Sequence, residues 1–374
     1  MPRRLVAPLI LAVVLATCAV AAAGLGPQDP YPTGGSVWGI AIGDVNRDGK
    51  PDIVAGNDNG DDHISLLRGR GDGSFRAEKV VKDPRGPEGM VLAKLNGDKR
   101  PDLAVADYND GNSKISIFLA TKRGGFRLER KLAAGSGAWL LEATDLNRDG
   151  KVDLVTGNFD TDGSDAVSVH LGKGKARFQP RDDYAGTTTS QYGLAVAKFT
   201  DDKIPDVAIN DADAAVTLLK GKANGTLKAR DPVDVSEATP GYGLVAGRLD
   251  TDGSIELAFP LASTDQVQVL LGNGNGTFAP RVDGPIASPD TGNGIAIAQL
   301  DGDPRQDLVV GRAGGGVNLL HNPGGGGLVP VDPFEGGDPA TWVETGDLDG
   351  DDLMDVVLGT ETGVTVLPDI GAVP

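Results

Sequence analysis

The 374 residues carry a formal net charge of −18, with 55 glycines, 24 prolines and one cysteine. So large an acidic excess excludes a nucleic-acid backbone as partner, and a lone cysteine excludes a disulfide framework. Glycine and proline at this density break long helices and suit many short strands joined by turns.

The chain opens with Arg3 and Arg4, an apolar run from Leu5 to Ala23, and small residues up to Gly24. That is the layout of a secretory signal peptide over residues 1–23, cut after Ala22 or Ala23. The mature protein is therefore expected to be secreted or extracytoplasmic. An uncleaved anchor and lipidation at Cys18 are the alternatives. Pro8 and the many alanines weigh against the anchor, and Thr17 is a poor residue before a lipidated cysteine. Cleavage takes Cys18, Arg3 and Arg4 away and leaves a net charge near −20. No second apolar run of spanning length follows, so residues 24–374 are read as one domain without a transmembrane span.

Down this domain a nine-residue acidic stretch, first seen as Asp44-Val45-Asn46-Arg47-Asp48-Gly49-Lys50-Pro51-Asp52, recurs six more times. Aligned on its fifth position the copies fall at Asp48, Asp98, Asp149, Asp202, Asp252, Asp303 and Asp351, spaced by 50, 51, 53, 50, 51 and 48 residues. Self-similarity at that period points to a propeller or an array. Each unit reads as an apolar strand, the acidic loop, a second apolar strand, an alternating third strand and a polar fourth strand. The expected fold is all-β: a seven-bladed β-propeller of four-stranded blades. The last unit ends after Val364-Thr365-Val366-Leu367 without a fourth strand. Gln28 to Gly34 resembles Pro180 to Gly186, the fourth strand of blade three, so the N-terminal strand is expected to complete blade seven and close the ring. The Gly-rich stretch from Gly314 to Gly327 reads as a loose loop in place of the third-strand turn of blade six.

The aromatic-Gly pairs Trp38-Gly39, Tyr192-Gly193 and Tyr242-Gly243, with Gly56-Asn57 and Gly157-Asn158, resemble the FG-GAP (VCBS) repeat family, whose members include the propeller domains of integrin α subunits. The resemblance covers nearly all of residues 25 to 370. It implies that the acidic loops lie on the bottom face and that ligands meet the opposite one.

Carboxylates or amides at positions 1, 3, 5 and 9, with glycine at 6 to turn the backbone, form the oxygen set a hard divalent cation needs. Three loops keep that set: Asp44, Asn46, Asp48 and Asp52; Asp145, Asn147, Asp149 and Asp153; and Asp347, Asp349, Asp351 and Asp355. Position 7 would add a backbone carbonyl from Lys50, Lys151 or Leu353. Asp352, at position 6 of the last loop, tolerates the left-handed backbone. Three structural Ca2+ sites are expected. The other loops carry Lys94, Lys198, Arg248 and Gln299 at position 1; three of these four are cationic, which suggests that a cationic side chain replaces the metal there. Blade five is the closest to a fourth site, with Asp250, Asp252 and Glu256.

Five aromatics, Trp38, Trp139, Tyr192, Tyr242 and Trp342, stand just before or at the start of first strands. Either they ring the mouth of the channel or they wedge between blades. In integrin α subunits the matching ring receives a basic side chain of the partner subunit, a cation–π contact, and sugars stack on such rings too. Blades two and six carry Glu88 and Asn293 at this position. His63, His170 and His321 map to third strands, and no nucleophile triad, nucleotide loop or zinc spacing appears. The reading is an exported, monomeric recognition or adhesion module for an extracellular protein or glycan. The alternative is a carbohydrate-active lyase or hydrolase using Tyr192 or Tyr242 and the loop acids Asp83, Glu88, Glu237 and Asp338.

Overall fold

The computed structural model describes residues 30–58, 62–77, 79–82, 85–108, 112–159, 164–186, 190–212, 215–233, 235, 238–281, 283–300, 303–324 and 327–368. The expected signal peptide, Cys18, Asp83 and Glu237 lie outside the described residues.

Each repeat forms an antiparallel sheet, and among the described residues there are seven such sheets, with a separate two-stranded ribbon of Gly172–Gly174 and Arg177–Phe178 in blade three. In blade one the strands are Ser36–Gly43, Asp52–Asp58, His63–Leu67 and Lys79–Lys82. Second strands are covered on both faces by neighbouring blades, so they read as unbroken apolar runs such as Ile53-Val54-Ala55 and Val356-Val357-Leu358. The core lies between blades: Ile40, Ile53 and Leu67 of blade one pack with Leu348, Val357 and Val366 of blade seven. Among the described residues no helix is long and apolar enough to cross a membrane.

The seven inner strands are Ser36–Gly43, Pro87–Ala93, Ala138–Thr144, Gln191–Ala197, Val245–Gly247, Thr291–Ala298 and Ala340–Gly346. Each lies against the next and the last against the first, so the ring is closed. The N-terminal strand supplies the missing edge of blade seven, with Tyr31 opposite Val364 and Pro32 opposite Gly363. Tyr31 repeats the part of Tyr184, which faces Val167 in blade three. Its ring meets Phe75 edge-on at 5.5 Å and its hydroxyl accepts the Phe75 amide at 3.2 Å. In blade six the stretch expected to be a loop contains the third strand, Gly316–His321. The apolar Val317, Leu319 and Leu320 within it outweigh the flanking glycines.

Six of the seven inner strands carry an irregularity near their start, Val245–Gly247 being the exception. Pairing passes from Val37 to Gly39, from Ala138 to Leu140 and from Gln191 to Gly193, leaving Trp38, Trp139 and Tyr192 on bulges that turn them out of the ladder. The glycine after Trp38 has its own cause. A Cβ on Gly39 would fall 1.6 Å from the Glu88 carbonyl oxygen, and one on Gly56 would fall 2.2 Å from that of Pro87. Blades one and two can therefore converge only where these side chains are missing. Because an inner strand starts at its aromatic and ends at its acidic loop six residues later, the two features are separated by roughly 20 Å at ~3.3 Å per residue. They occupy opposite faces of the ring.

Candidate functional site

The acidic loops turn as their sequence requires. Position 6 has positive φ at Gly49 (82°), Gly150 (81°) and Asp352 (70°). Position 9, expected to be a metal ligand, is already engaged in all seven blades. Asp52, Asp102, Asp153, Asp206, Glu256, Asp307 and Asp355 are buried. In six blades one oxygen accepts the amide of position 2, from Val45, Leu95, Leu146, Leu249, Leu300 and Leu348 at 2.7–3.2 Å. In five the other oxygen takes an amide just beyond or at the end of the third strand, from Gly69, Ala120, Gly172, Gly221 and Asn322 at 2.6–3.1 Å. The residue thus staples loop to sheet through charge-assisted bonds, whether or not its loop keeps the other ligands. Burial pushes the Asp52 carboxyl up to about 6 and that of Glu256 up to about 7.

The remaining positions differ between blades. In blade seven, oxygens of Asp347, Asp349 and Asp351 lie within 4.8 Å of one another. Burial and then the neighbouring Asp351 raise the pKa of Asp349. Like charges so close fit a cation between them. Asp250, Asp252 and Glu256 converge in the same way in blade five. There the buried Oε1 of Glu256 has no hydrogen-bond partner, so this donor set also fits a cation. In blades one and three, Asn46 and Asn147 take the place of a third carboxylate. Both oxygens of Asp44 accept loop amides, from Asp48 and Gly49 at 3.0 and 2.8 Å. Asp145 does the same with Asp149 and Gly150 at 2.9 and 2.8 Å, as Asp347 does with Gly350 and Asp352 at 2.6 and 3.3 Å, and in blade three Lys151 reaches Asp149 at 2.6 Å.

The expectation that a position-1 cation replaces the metal is corrected in its source. Position 5 is indeed neutralised in blades two, four and six, but Asp98 is met by Arg100 at 3.0 Å and Asp303 by Arg305, both from position 7. Asp202 is met by Lys220 of the third strand at 2.8 Å. A side chain two residues along a tight turn lies beside position 5, which explains the choice of position 7.

On the opposite face four of the five aromatics come together. The Tyr242 ring meets Trp38 at 6.1 Å, Trp139 at 5.0 Å and Tyr192 at 5.0 Å, each nearly perpendicular to it. Trp139 is the buried member, and its Nε1 donates to the Gln191 carbonyl at 2.8 Å. Trp342 departs from the group. It sits one residue past the bulge, pairs with Gly359, and occupies the register of Gly39 rather than of Trp38. It therefore lines the channel below the mouth, in a cavity of about 270 Å³ shared with Glu142 and Glu344, and its Nε1 donates to Glu344 at 3.2 Å. Burial pushes Glu142 and Glu344 each up to about 7, and Glu344 adds to the shift of Glu142.

Beside the aromatics lies a second cavity of about 250 Å³, lined by Trp38, Asp58, Glu88, Tyr108, Trp139, Phe159 and Tyr242. Burial, and then Asp58, push Glu88 up to about 8. Burial, and then Asp62, raise the pKa of Asp58.

An FG-GAP-like repeat profile matches residues 44–105, 94–156, 145–209 and 299–358, more than half of the chain. The chain belongs to the FG-GAP-like repeat family. Comparison with curated protein sequences finds no match. Among solved structures this FG-GAP-like propeller is similar to BBS1N in complex with ARL6DN, at 16% identity and a TM-score of 0.62 over 92% of this chain and 94% of that one. It is also similar to the BP39L lectin from Burkholderia pseudomallei, at 14% identity and a TM-score of 0.64 over 88% and 95% of the chains. A putative 6-phosphogluconolactonase from Bacteroides uniformis matches at 13% identity and a TM-score of 0.59 over 79% and 84%. At these identities the likeness is one of fold.

Within the FG-GAP-like repeat, the cavity residues missed by the sequence reading share a register. Asp58, Tyr108 and Phe159 each stand six residues after position 9 of their loops, where blades four, five and six have Ala212, Ala262 and Ala313. Large side chains at that register in blades one to three, against alanine in the next three, were a readable signal for a one-sided pocket. Of the acids proposed for catalysis, Glu88 reaches this cavity, whereas Asp338 accepts a hydrogen bond from Thr362 elsewhere. His63 and His170 contact the carbonyls of Thr33 and Ala133, and His321 lies 3.4 Å from Asp307.

Proposed function

We propose that this FG-GAP-like propeller is an exported, monomeric recognition module that engages an extracellular protein or glycan through its aromatic mouth, with calcium stabilising the acidic loops of the opposite face. The observation that carries the reading is the convergence of Trp38, Trp139, Tyr192 and Tyr242 beside a cavity on one face. Trp38, Tyr192 and Tyr242 are only partly buried, so a ligand can reach their rings. A lectin and a chain solved with a protein partner share the fold, and both ligand classes suit aromatic surfaces. Asp347, Asp349 and Asp351 would hold calcium in blade seven, where the ion would neutralise them and tie the loop down. Export rests on the N-terminal signal pattern, and N-terminal sequencing of the secreted protein should begin at Ala23 or Gly24.

The test is tryptophan fluorescence titrated with a glycan panel and with basic peptides. A saturable change abolished by Trp38→Ala supports the reading; no binding, or binding unaltered by that substitution, contradicts it. One observation favours a second reading as an enzyme: Glu88 keeps its proton beside Asp58 among the mouth aromatics, as a general acid must. Release of reducing ends from a polysaccharide, lost in Glu88→Gln, would establish turnover.

A further inference from the structure

The cavity next to Trp38 has walls of a particular kind. Along it Trp38 stands at 75° to Tyr242, Tyr242 at 75° to Trp139, and Trp139 at 87° to Phe159. Rings set in sequence at near right angles make a box rather than a stacking platform. Tyr108 supplies a further aromatic wall, and among the described residues Asp58 and Glu88 supply the only charged side chains of the lining. The Glu88 backbone cannot withdraw, because it is packed against Gly39 of blade one. Among the described residues its carboxylate makes no hydrogen bond or ion pair, whereas the carboxylates on the opposite face are met by amides, lysines and arginines.

We propose that this box binds a quaternary ammonium head group, with the aromatic rings as its walls and Glu88 and Asp58 as its counter-charges. The inference deepens the reading of the mouth as the ligand-binding face and depends on it. Three physical points select the ligand class. Aromatic faces attract cations through their quadrupole, and the attraction grows when the cation sheds little water on entry, which favours alkylated ammonium over hydrated ammonium. A hard metal ion needs six or more oxygens, and the described lining offers two carboxylates and two phenols. At about 250 Å³ the space is below the ~300 Å³ from which drug-sized pockets start, so it fits a head group rather than an oligosaccharide. The chain's charge of −18 draws cations toward the molecule.

The experiment compares choline with 3,3-dimethylbutan-1-ol, its neutral isostere, by calorimetry at pH 9, where the Glu88 carboxyl is ionised, on the mature protein and on Glu88→Gln. Choline should bind saturably and at least about tenfold more tightly than the isostere. Glu88→Gln should remove most of that difference by weakening choline alone. A peptide carrying one trimethyllysine, run in parallel, separates a side-chain source of the head group from a small molecule, and binding of either supports the proposal. Equal affinity for choline and the isostere on the unmodified protein overturns it without reference to any variant. Binding of glycans at the mouth without choline overturns this inference and leaves the recognition reading standing; failure of every ligand overturns both.

Discussion

The two faces of the propeller use the same residue types to opposite ends. On the loop face a buried acid is met by backbone amides: Asp102 accepts those of Leu95, Asn96 and Ala120 at 2.9–3.2 Å. On the mouth face Glu88 stands among aromatic rings beside another acid, and burial holds its pKa at about 8. Donors offset part of the burial cost of the first, whose pKa burial still raises, whereas nothing offsets that of the second until a ligand arrives. Position relative to the inner strand decides which it is, since one end of that strand folds into a tight loop rich in free amides and the other opens onto the channel.

The sharpest way to break this contrast is at a staple whose loop has lost its metal set. Asp102→Asn places an amide against three amide donors, so it should cost about 3 kcal/mol, with the same fall in Tm in calcium and in chelator. A calcium-dependent loss would mean that position 9 acts as a ligand first. Next in size is the ring closure. Tyr31→Ala removes the edge contact with Phe75 and the hydroxyl that accepts its amide, and about 2 kcal/mol should be lost in denaturant unfolding. Smaller again is the metal term. In millimolar calcium the wild type should gain about 1 kcal/mol per occupied loop. Asp351→Asn in blade seven should abolish part of that gain, and Asp303→Asn in blade six should leave it intact, because Arg305 already neutralises that loop.

Much of the fold was legible because each repeat states it again. The likeness of Gln28–Gly34 to Pro180–Gly186 was enough to place the closing strand, and Tyr31 does hold the register of Tyr184. The staple at position 9 was not legible, because a calcium ligand and an amide acceptor ask for the same carboxylate at the same place. Trp342 was misplaced for a geometric reason: the bulge makes one residue the difference between facing the mouth and facing the channel. Glu88 looked like a gap in an aromatic ring. Only the spatial approach of Asp58, Tyr108 and Phe159, from the far ends of second strands, makes it the wall of a pocket.

Buried acids of the mouth and the channel set a pH dependence of definite sign, and Asp52 and Glu256 on the loop face, raised to about 6 and 7, act in the same direction. Folded Glu88 titrates near 8 instead of 4.5, and Glu142 and Glu344 near 7, so the folded chain binds more protons than the unfolded chain between those values. Stability should therefore fall as pH rises from about 5 to about 8. Glu88→Gln should shallow the upper part of that slope.

The most direct measurement is the Tm of Glu88→Gln and of Asp102→Asn side by side at pH 9, without ligand and in chelator. Opposite signs are expected: Glu88→Gln melts above the wild type because an uncompensated charge is gone, and Asp102→Asn melts well below it. Two shifts of the same sign would contradict the division of the acids between a structural face and a ligand-binding face.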